Sequence, residues 1–171
     1  KKLFISLENG QIIYNTKTGE FESYSVGGNE FINTAPYGTS TGFGFSLFRA
    51  PIDNDMYLRL NWNRFKLETE TLSLAGKKSP KDSYRIENGA VVIENDYIVS
   101  TIKCRRLAKI HTKFSVFANG LITVDTECVS GKLIMFVPRF GLTFEMPSQY
   151  DNVEYFGLGD RPNLDDFDCH A

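Results

Sequence analysis

IHTKFSVFANGLITVDTEC, residues 110–128, carries the clearest structural pattern in the chain. Side chains alternate in character on both sides of Asn119-Gly120, a dipeptide that favours the two-residue turn of a β-hairpin. Before this dipeptide, one face holds Leu107, Lys109, His111, Lys113 and Ser115, and the opposite face holds Ile110, Thr112, Phe114 and Val116. After it, one face holds Ile122, Val124, Thr126 and Cys128, and the opposite face holds Thr123, Asp125 and Glu127. Because successive side chains of a strand point to opposite faces, this pattern predicts an antiparallel hairpin with one solvated face.

Similar signals continue in both directions along the chain. Asn9-Gly10 and Asn88-Gly89 predict two further hairpin turns. Strands are predicted at 3–7, 11–14, 20–26, 30–32, 42–48, 67–74, 84–87, 91–95, 97–117 with a break near 104–106, 121–129, 133–136, 139–145 and 153–156, and a short helix at 59–66. No repeat or linker divides these segments. The expected fold is therefore an all-β, antiparallel β-sandwich in a single domain over 1–171.

Composition excludes several classes of function. The 171 residues hold 19 Lys+Arg against 21 Asp+Glu, so no basic surface for nucleic acid is expected. No apolar run approaches the length of a membrane span, and no membrane association is expected. The three cysteines have no metal-binding spacing and no even pairing, which favours reduced thiols and a cytoplasmic location, with a periplasmic or secreted one left open.

The segment FRAPIDND, residues 48–55, places an arginine, a proline and three Asx side chains directly after an apolar strand. Proline must end or bend the strand, and short Asx side chains favour turns. One interpretation is a turn in which Arg49 pairs internally with Asp53 or Asp55. The other is a loop that presents Asp53, Asn54 and Asp55 to a sugar or to a partner domain. The single tryptophan, Trp62, is either a core anchor or a platform for a sugar.

This segment resembles the R-A-P-x-D-N-D signature of the C-terminal small-chain domain of bacterial β-galactosidases, in glycoside hydrolase family 2. A second resemblance follows in the order that the family has, at PRFGL (138–142), Met146-Pro147 and VEYFGLG (153–159). Beyond it, Asn163 and Asp166 match the family pattern, whereas Asp160, Pro162, Leu164 and Phe167 depart from it. The resemblance spans most of the chain.

The resemblance implies a large antiparallel supersandwich, like that of galactose mutarotases, which is longer than this chain and would be incomplete at its C-terminal end. It implies hydrolysis of terminal β-galactosides such as lactose by glutamates on a separate barrel domain or large chain, which would be the partner of this region. The parent enzyme of such a family can use Mg and Na, and no cofactor is expected in this chain. The implied sugar-binding or barrel-facing residues are Arg49, Asp53, Asn54, Asp55 and Trp62, and those of the second motif are Arg139, Gly157, Gly159, Asn163 and Asp166.

The residues themselves predict no independent catalysis. Glycoside hydrolysis needs two carboxylates about 5–9 Å apart, and the candidate pairs lie in turns, Asp53 with Asp55 and Asp165 with Asp166 or Asp168. The two histidines, His111 and His170, are isolated, so no metal site is expected. The alternative function is a stand-alone carbohydrate-binding or structural interaction module. An incomplete sandwich leaves an open sheet edge, which predicts a homo-oligomer.

Overall fold

The computed structural model describes residues 1–32, 44–76, 84–134, 136–154 and 156. Its strands are β1 (Lys2–Leu7), β2 (Gly10–Asn15), β3 (Glu20–Val26), β4 (Asn29–Glu30), β5 (Gly44–Ser46), β6 (Thr71–Leu74), β7 (Arg85–Glu87), β8 (Ala90–Ser100), β9 (Ala108–Phe117), β10 (Ile122–Ser130) and β11 (Gly141–Thr143). A helix, α1 (Leu58–Phe65), and two 3₁₀ turns, Asp53–Asp55 and Leu67–Thr69, lie between β5 and β6.

All the strand pairs described are antiparallel, and they form three sheets. The large sheet has the order β10-β9-β8-β6, with β7 also paired to β8; the second sheet is β1-β2-β3-β4, and the third joins β5 to β11. The predicted hairpin forms between β9 and β10, in a register that runs from Val116 opposite Ile122 to Ala108 opposite Ser130. The all-β, antiparallel sandwich predicted from the sequence is confirmed.

The inward face of β8 and β9 supports two hydrophobic cores, one toward each end of the strands. At one end the β1–β4 sheet covers Ile93 and Phe114, and Phe21 meets Phe114 edge to face with ring centroids 5.1 Å apart. At the other end, β5, α1 and the chain before β11 cover Val99 and Ile110. Burial of such side chains is the main stabilising term of the fold.

A polar layer separates the two cores. Asn95 of β8 is buried and donates to the hydroxyl of Tyr14, and the hydroxyl of Tyr97 donates to the carbonyl of Gly19. Burial raises the pKa of Tyr14 to about 12, since the charged phenolate would lose its hydration. These bonds let a polar residue occupy the middle of an otherwise apolar strand.

Several predicted segments differ in the structure. Strands 91–95 and the beginning of 97–117 form one continuous strand, β8, because the buried Asn95 finds partners. The predicted strand 67–74 is wrong in its first half, since Lys66 adopts a left-handed conformation (φ 55°) that ends α1 and starts a 3₁₀ turn. The helix begins one residue earlier than predicted and ends one residue earlier.

Two short predicted strands are absent from the described residues. In 133–136, the N–H of Ile134 bonds back to Gly131 in a turn, and the carbonyl of Phe136 accepts from a side chain rather than from a strand. In 153–156, Val153, Glu154 and Phe156 belong to no strand, and Val153 is 85% exposed. Both predictions are wrong there, because a short apolar run forms a strand only where a partner strand is available.

Candidate functional site

The loop at residues 48–55 is fixed at its beginning by Glu70. This carboxylate accepts the N–H of Leu47 at 2.9 Å, the N–H of Phe48 at 3.3 Å and the hydroxyl of Ser46 at 3.0 Å. Because these amides bond to a side chain, they are not available to a neighbouring strand, and β5 ends at Ser46. Leu47 is fully buried beside them, which anchors the first turn of the loop in the core.

An ion pair between Arg49 and Asp55 closes the loop. The guanidinium contacts both carboxylate oxygens, with Nη1 to Oδ2 at 2.6 Å and Nη2 to Oδ1 at 3.1 Å, and Oδ2 also accepts the N–H of Ile52 at 2.8 Å. Asp55 is only 6% exposed. The hydrogen bonds from Arg49 and then from Ile52 hold the pKa of Asp55 below its usual range, since they favour the charged form. Of the two internal partners predicted for Arg49, the structure selects Asp55.

Arg49 also connects this loop to the second motif. Its Nε donates to the carbonyl of Pro138 at 3.1 Å, and its Cζ lies 5.7 Å from the centroid of the Trp62 ring. The indole N–H of Trp62 donates to the carbonyl of Phe136 at 2.8 Å. Trp62 is therefore a core anchor; at 2% exposure its ring has no free face on which a sugar could stack.

The two family-like motifs, distant in the sequence, lie side by side. β5 pairs with β11 so that Gly141 is opposite Ser46 and Leu142 is opposite Phe45. Arg139 is exposed, and its Nε would lie 3.1 Å from a Cβ added at Gly141, so this guanidinium folds over the strand. Gly157, Gly159, Asn163 and Asp166 lie outside the described residues, and the predictions for them are untested.

The three Asx side chains of the loop divide into an inward and an outward set. Asp55 points inward to Arg49, whereas Asp53 and Asn54 are exposed on the 3₁₀ turn Asp53–Asp55. The loop therefore offers one carboxylate and one amide to solvent on a backbone that the ion pair and Glu70 hold in place. Asp53 and Asp55 do not form a pair of free carboxylates, because Asp55 is committed to Arg49.

Large apolar side chains next to this turn in the chain are exposed as well. Ile52, Met56, Tyr57 and Leu60 are 53%, 54%, 80% and 65% exposed, and Phe136, beside Trp62, is 61% exposed. We call these five residues the loop surface. Exposed apolar patches of this kind mark surfaces that contact another protein or a ligand. Sequence reasoning predicted no apolar surface here, although Tyr57 and Leu60 lie directly before and within the predicted helix 59–66.

The described residues offer no support for a metal or a membrane span. They contain no group of three or more His, Cys, Asp and Glu side chains that could hold a metal ion. His111 contacts Asp96 on the solvated face of the large sheet, with Nδ1 and Oδ1 2.8 Å apart. Across the described ranges, no helix is both long enough and apolar enough to cross a bilayer.

Fold and loop together define an all-β sandwich domain that exposes a braced polar loop. Residues 6–168 match the family described as β-galactosidase small chain, and the chain belongs to that family. It is 25% identical over 167 residues to a β-galactosidase of Actinobacillus pleuropneumoniae, covering 95% of this chain and 15% of that protein. It is also similar to β-galactosidases of Priestia megaterium (20% over 166 residues, 94% of this chain) and Yersinia enterocolitica (25% over 167 residues, 90% of this chain). The chain spans only 14–15% of the length of these relatives, so it matches one part of each of them.

Proposed function

We propose that this chain is the accessory β-sandwich region of a β-galactosidase that hydrolyses terminal β-galactosides such as lactose. In this proposal the catalytic carboxylates lie on a separate barrel domain or large chain, and this region supports that domain and borders its sugar site. Membership of the small-chain family and the names of the relatives support the first part. The carboxylates of the described loop do not supply a catalytic pair, which agrees with chemistry located elsewhere.

The observation that carries the proposal is the division of the D-N-D motif. Asp55 and Arg49 form a doubly hydrogen-bonded ion pair that holds the loop, while Asp53 and Asn54 remain exposed beside one another. Carboxylates and amides are suitable hydrogen-bond partners for sugar hydroxyls, and preorganised ones bind at a lower entropic cost. Bracing a turn this firmly would serve recognition of a sugar or of the edge of a barrel domain.

The loop surface supplies the second part of the proposal. Exposed Ile52, Met56, Tyr57 and Leu60 lie before and after Asp53 and Asn54 in the chain, and contact areas typically combine such apolar side chains with a few oriented polar groups. In this proposal the apolar residues pack on the barrel domain, and the contact turns Asp53 and Asn54 toward the galactoside. A supersandwich of the mutarotase type and a homo-oligomer are parts of the same proposal. The use of Mg and Na by the parent enzyme is not assigned to any described residue.

The test uses the complete β-galactosidase that contains this region. Asp53→Asn with Asn54→Ala should lower kcat/KM for lactose at least tenfold without changing the assembled mass, since each lost sugar hydrogen bond is worth about 1 kcal/mol or more. Glu8→Gln, an exposed carboxylate in the turn between β1 and β2, is the matched control and should leave kcat/KM unchanged. Unchanged kcat/KM in the double variant would refute a role of the loop at the sugar site.

A second measurement separates sugar recognition from support. The isotope-labelled 171-residue chain is titrated with galactose and lactose while its amide resonances are followed. Shifts confined to 49–55 would mean that the loop binds sugar without the barrel, which favours a carbohydrate-binding module. No shifts at millimolar sugar, combined with a low kcat/KM in the loop variant, would mean that the site forms only in the assembled enzyme.

A further inference from the structure

Three asparagines of the chain are each followed by glycine, in the turns Asn9-Gly10, Asn88-Gly89 and Asn119-Gly120. Glycine carries no side chain that would shield its backbone nitrogen, so this nitrogen can attack the side-chain amide of the preceding asparagine. Two of the turns share the tripeptide Glu-Asn-Gly, at 8–10 and 87–89, so their intrinsic reactivity is nearly the same. A difference in rate between these two turns in the folded protein therefore comes from the structure.

The attack requires the turn to open. The glycine nitrogen reaches the Cγ atom of the asparagine only after rotation about the Cα–C bond of that asparagine. A closed hairpin turn fixes this torsion angle. The rate at each site is therefore the intrinsic rate multiplied by the fraction of molecules in which the turn is open.

The turn at Asn88-Gly89 has few connections to the rest of the fold. It joins β7 to β8, with Glu87 opposite Ala90 and with φ values of 51° at Asn88 and 77° at Gly89. Both turn residues are exposed, and within the described residues neither the side-chain amide of Asn88 nor the N–H of Gly89 has a hydrogen-bond partner. A Cβ added at Gly89 would meet no atom within 4 Å. The described residues therefore leave this turn uncovered.

The strand before this turn adds little resistance to opening. The three residues of β7 are all exposed, Ile86 is 77% exposed, and none of them belongs to either hydrophobic core. Arg85 forms ion pairs with Glu87 at 3.0 Å and with Glu94 at 2.7 Å, but exposed ion pairs contribute little free energy. Because β8 is also paired with β9, it stays in the sheet when β7 separates. The hairpin can therefore open locally, without exposing a core.

The turn at Asn119-Gly120 is held by hydrogen bonds that cross to the second sheet. The carbonyl of Gly120 accepts the hydroxyl of Tyr24 at 2.9 Å. The N–H of Gly120, whose nitrogen would make the attack, donates to the carbonyl of Phe117 at 3.0 Å, and Oδ1 of Asn119 accepts the N–H of Leu121 at 3.0 Å. Both reacting groups are therefore engaged while this turn is closed.

The turn at Asn9-Gly10 is held from two sides as well. The N–H of Glu8 donates to the carbonyl of Ala118 at 2.8 Å, and the carbonyl of Asn9 accepts the N–H of Gly27 at 2.7 Å. The glycine of this turn belongs to β2, which pairs with β1 on one side and with β3 on the other. Opening this turn therefore disrupts two strand pairs instead of one.

We propose that Asn88 is a site of spontaneous deamidation, and that among the three Asn-Gly turns the folded structure restricts this modification to Asn88. The nitrogen of Gly89 forms a bond to Cγ of Asn88 and gives up its proton, and the side-chain nitrogen leaves as ammonia. Water then opens the resulting succinimide ring. Addition of water to Cγ gives aspartate, whereas addition to the backbone carbonyl leaves the chain running through Cγ, as isoaspartate. The only co-reactant is water.

Either product changes the end of β7. Both place a carboxylate next to Glu87, which weakens the pairing of this strand by repulsion between like charges. Isoaspartate also adds a methylene to the backbone of a turn that has only two residues between Glu87 and Ala90. Because loop length sets the register of a hairpin, isoaspartate should release β7 while β8 stays in the large sheet.

The test incubates the whole 171-residue chain in mildly alkaline buffer and follows the three sites by proteolysis and mass spectrometry. In the folded chain, Asn88 should be converted at least about tenfold faster than Asn9 or Asn119, since a difference of about 1.4 kcal/mol in opening free energy gives this factor. In concentrated urea, the identical tripeptides at 8–10 and 87–89 should react at about the same rate. This second measurement separates structural protection from intrinsic reactivity.

The variant Tyr24→Phe tests whether hydrogen bonds to a turn protect it. Loss of the bond to the carbonyl of Gly120 should speed conversion of Asn119 about fivefold, because one such bond contributes about 1 kcal/mol. The rate at Asn88 in the same molecules should stay unchanged and serves as the internal control.

Three outcomes would overturn the proposal. The first is an equal rate at Asn88 and Asn9 in the folded chain. The second is a rate at Asn119 that equals or exceeds that at Asn88. The third is a preference for Asn88 over Asn9 that persists undiminished in urea, since it would then not come from the fold. None of these results bears on sugar recognition by Asp53 and Asn54, so this proposal and the proposed function can fail separately.

Discussion

Replacing Trp62 with phenylalanine should lower the free energy of unfolding of the chain by about 2–3 kcal/mol. The indole N–H loses its 2.8 Å bond to the carbonyl of Phe136, which contributes about 1 kcal/mol net. The ring is 2% exposed, and a side chain smaller by about 40 Å³ leaves a cavity that costs about 1 kcal/mol. Weaker attraction for the guanidinium of Arg49, 5.7 Å away, removes about 0.5 kcal/mol more.

Urea unfolding followed by far-ultraviolet circular dichroism measures this loss, because the variant has no tryptophan left for fluorescence. Tyr57→Phe is the matched control: this aromatic ring precedes the same helix but is 80% exposed, so its change should stay within about 0.5 kcal/mol. A loss below about 0.5 kcal/mol for Trp62→Phe, with an unchanged dependence on urea, would refute the conclusion that Trp62 is a core anchor.

Three other changes test the fold. Glu30→Gln should lower the free energy of unfolding at neutral pH and make it fall less steeply in acid. Burial opposes the charged form of Glu30, but hydrogen bonds from Ser23 and from backbone amides outweigh it and lower the pKa. The stabilisation is therefore present above the ordinary pKa near 4.5 and is lost as the pH falls. Burial raises the pKa of Tyr14 to about 12, whereas the unfolded residue ionises near 10; stability should therefore fall as pH rises above about 10, and tyrosinate absorbance of this residue should appear only with unfolding. Gly10→Ala should cost about 3 kcal/mol in urea unfolding, because its Cβ would lie 1.9 Å from the carbonyl oxygen of Ser25.

Each of these predictions has its own control. Glu8→Gln changes an exposed carboxylate whose side chain makes no hydrogen bond within the described residues, and it should leave the loss of stability in acid unchanged. Tyr57→Phe removes an exposed phenol and should not shift the alkaline transition. Gly28→Ala, at φ 82° with open space around it, should cost only about 1 kcal/mol. A Gly10→Ala variant no less stable than Gly28→Ala would mean that β2 and β3 approach less closely than described.

Local sequence patterns predicted the structure correctly where a strand pairs with the next strand in the chain. The hairpin at 110–128 follows from period-two alternation around Asn119-Gly120, and its register needs no distant residue. The same reasoning predicted two strands in place of β8, divided next to Asn95, because the Tyr14 hydroxyl that accepts a hydrogen bond from this amide lies 81 residues away in the chain. The same reasoning predicted a strand over 67–70, because the alternating sequence there gives no sign that Lys66 adopts a left-handed conformation and starts a 3₁₀ turn.

At the candidate site too, local contacts were predicted from the sequence and distant ones were not. The sequence placed Arg49 beside two carboxylates but could not choose between them, since Asp53 and Asp55 are both within reach along the chain. The 3₁₀ turn decides the choice by directing Asp55 back to the N–H of Ile52. The role of Glu70 was not predicted, because Leu47 and Phe48, whose amides it accepts, lie more than twenty residues away in the chain and no local motif indicates these contacts.

The bond between Arg49 and Pro138 also determines when the loop is joined to the second motif during folding. The two residues are 89 positions apart, and closing a flexible segment of that length costs about 4 kcal/mol of chain entropy. The intervening chain must fold into the large sheet before this cost is recovered, so this bond belongs to the last contacts made. A nascent or partly unfolded chain could close the loop through Asp55 and Glu70, but it would not hold the loop against Pro138, and the relative placement of the two motifs would be restricted to completely folded molecules.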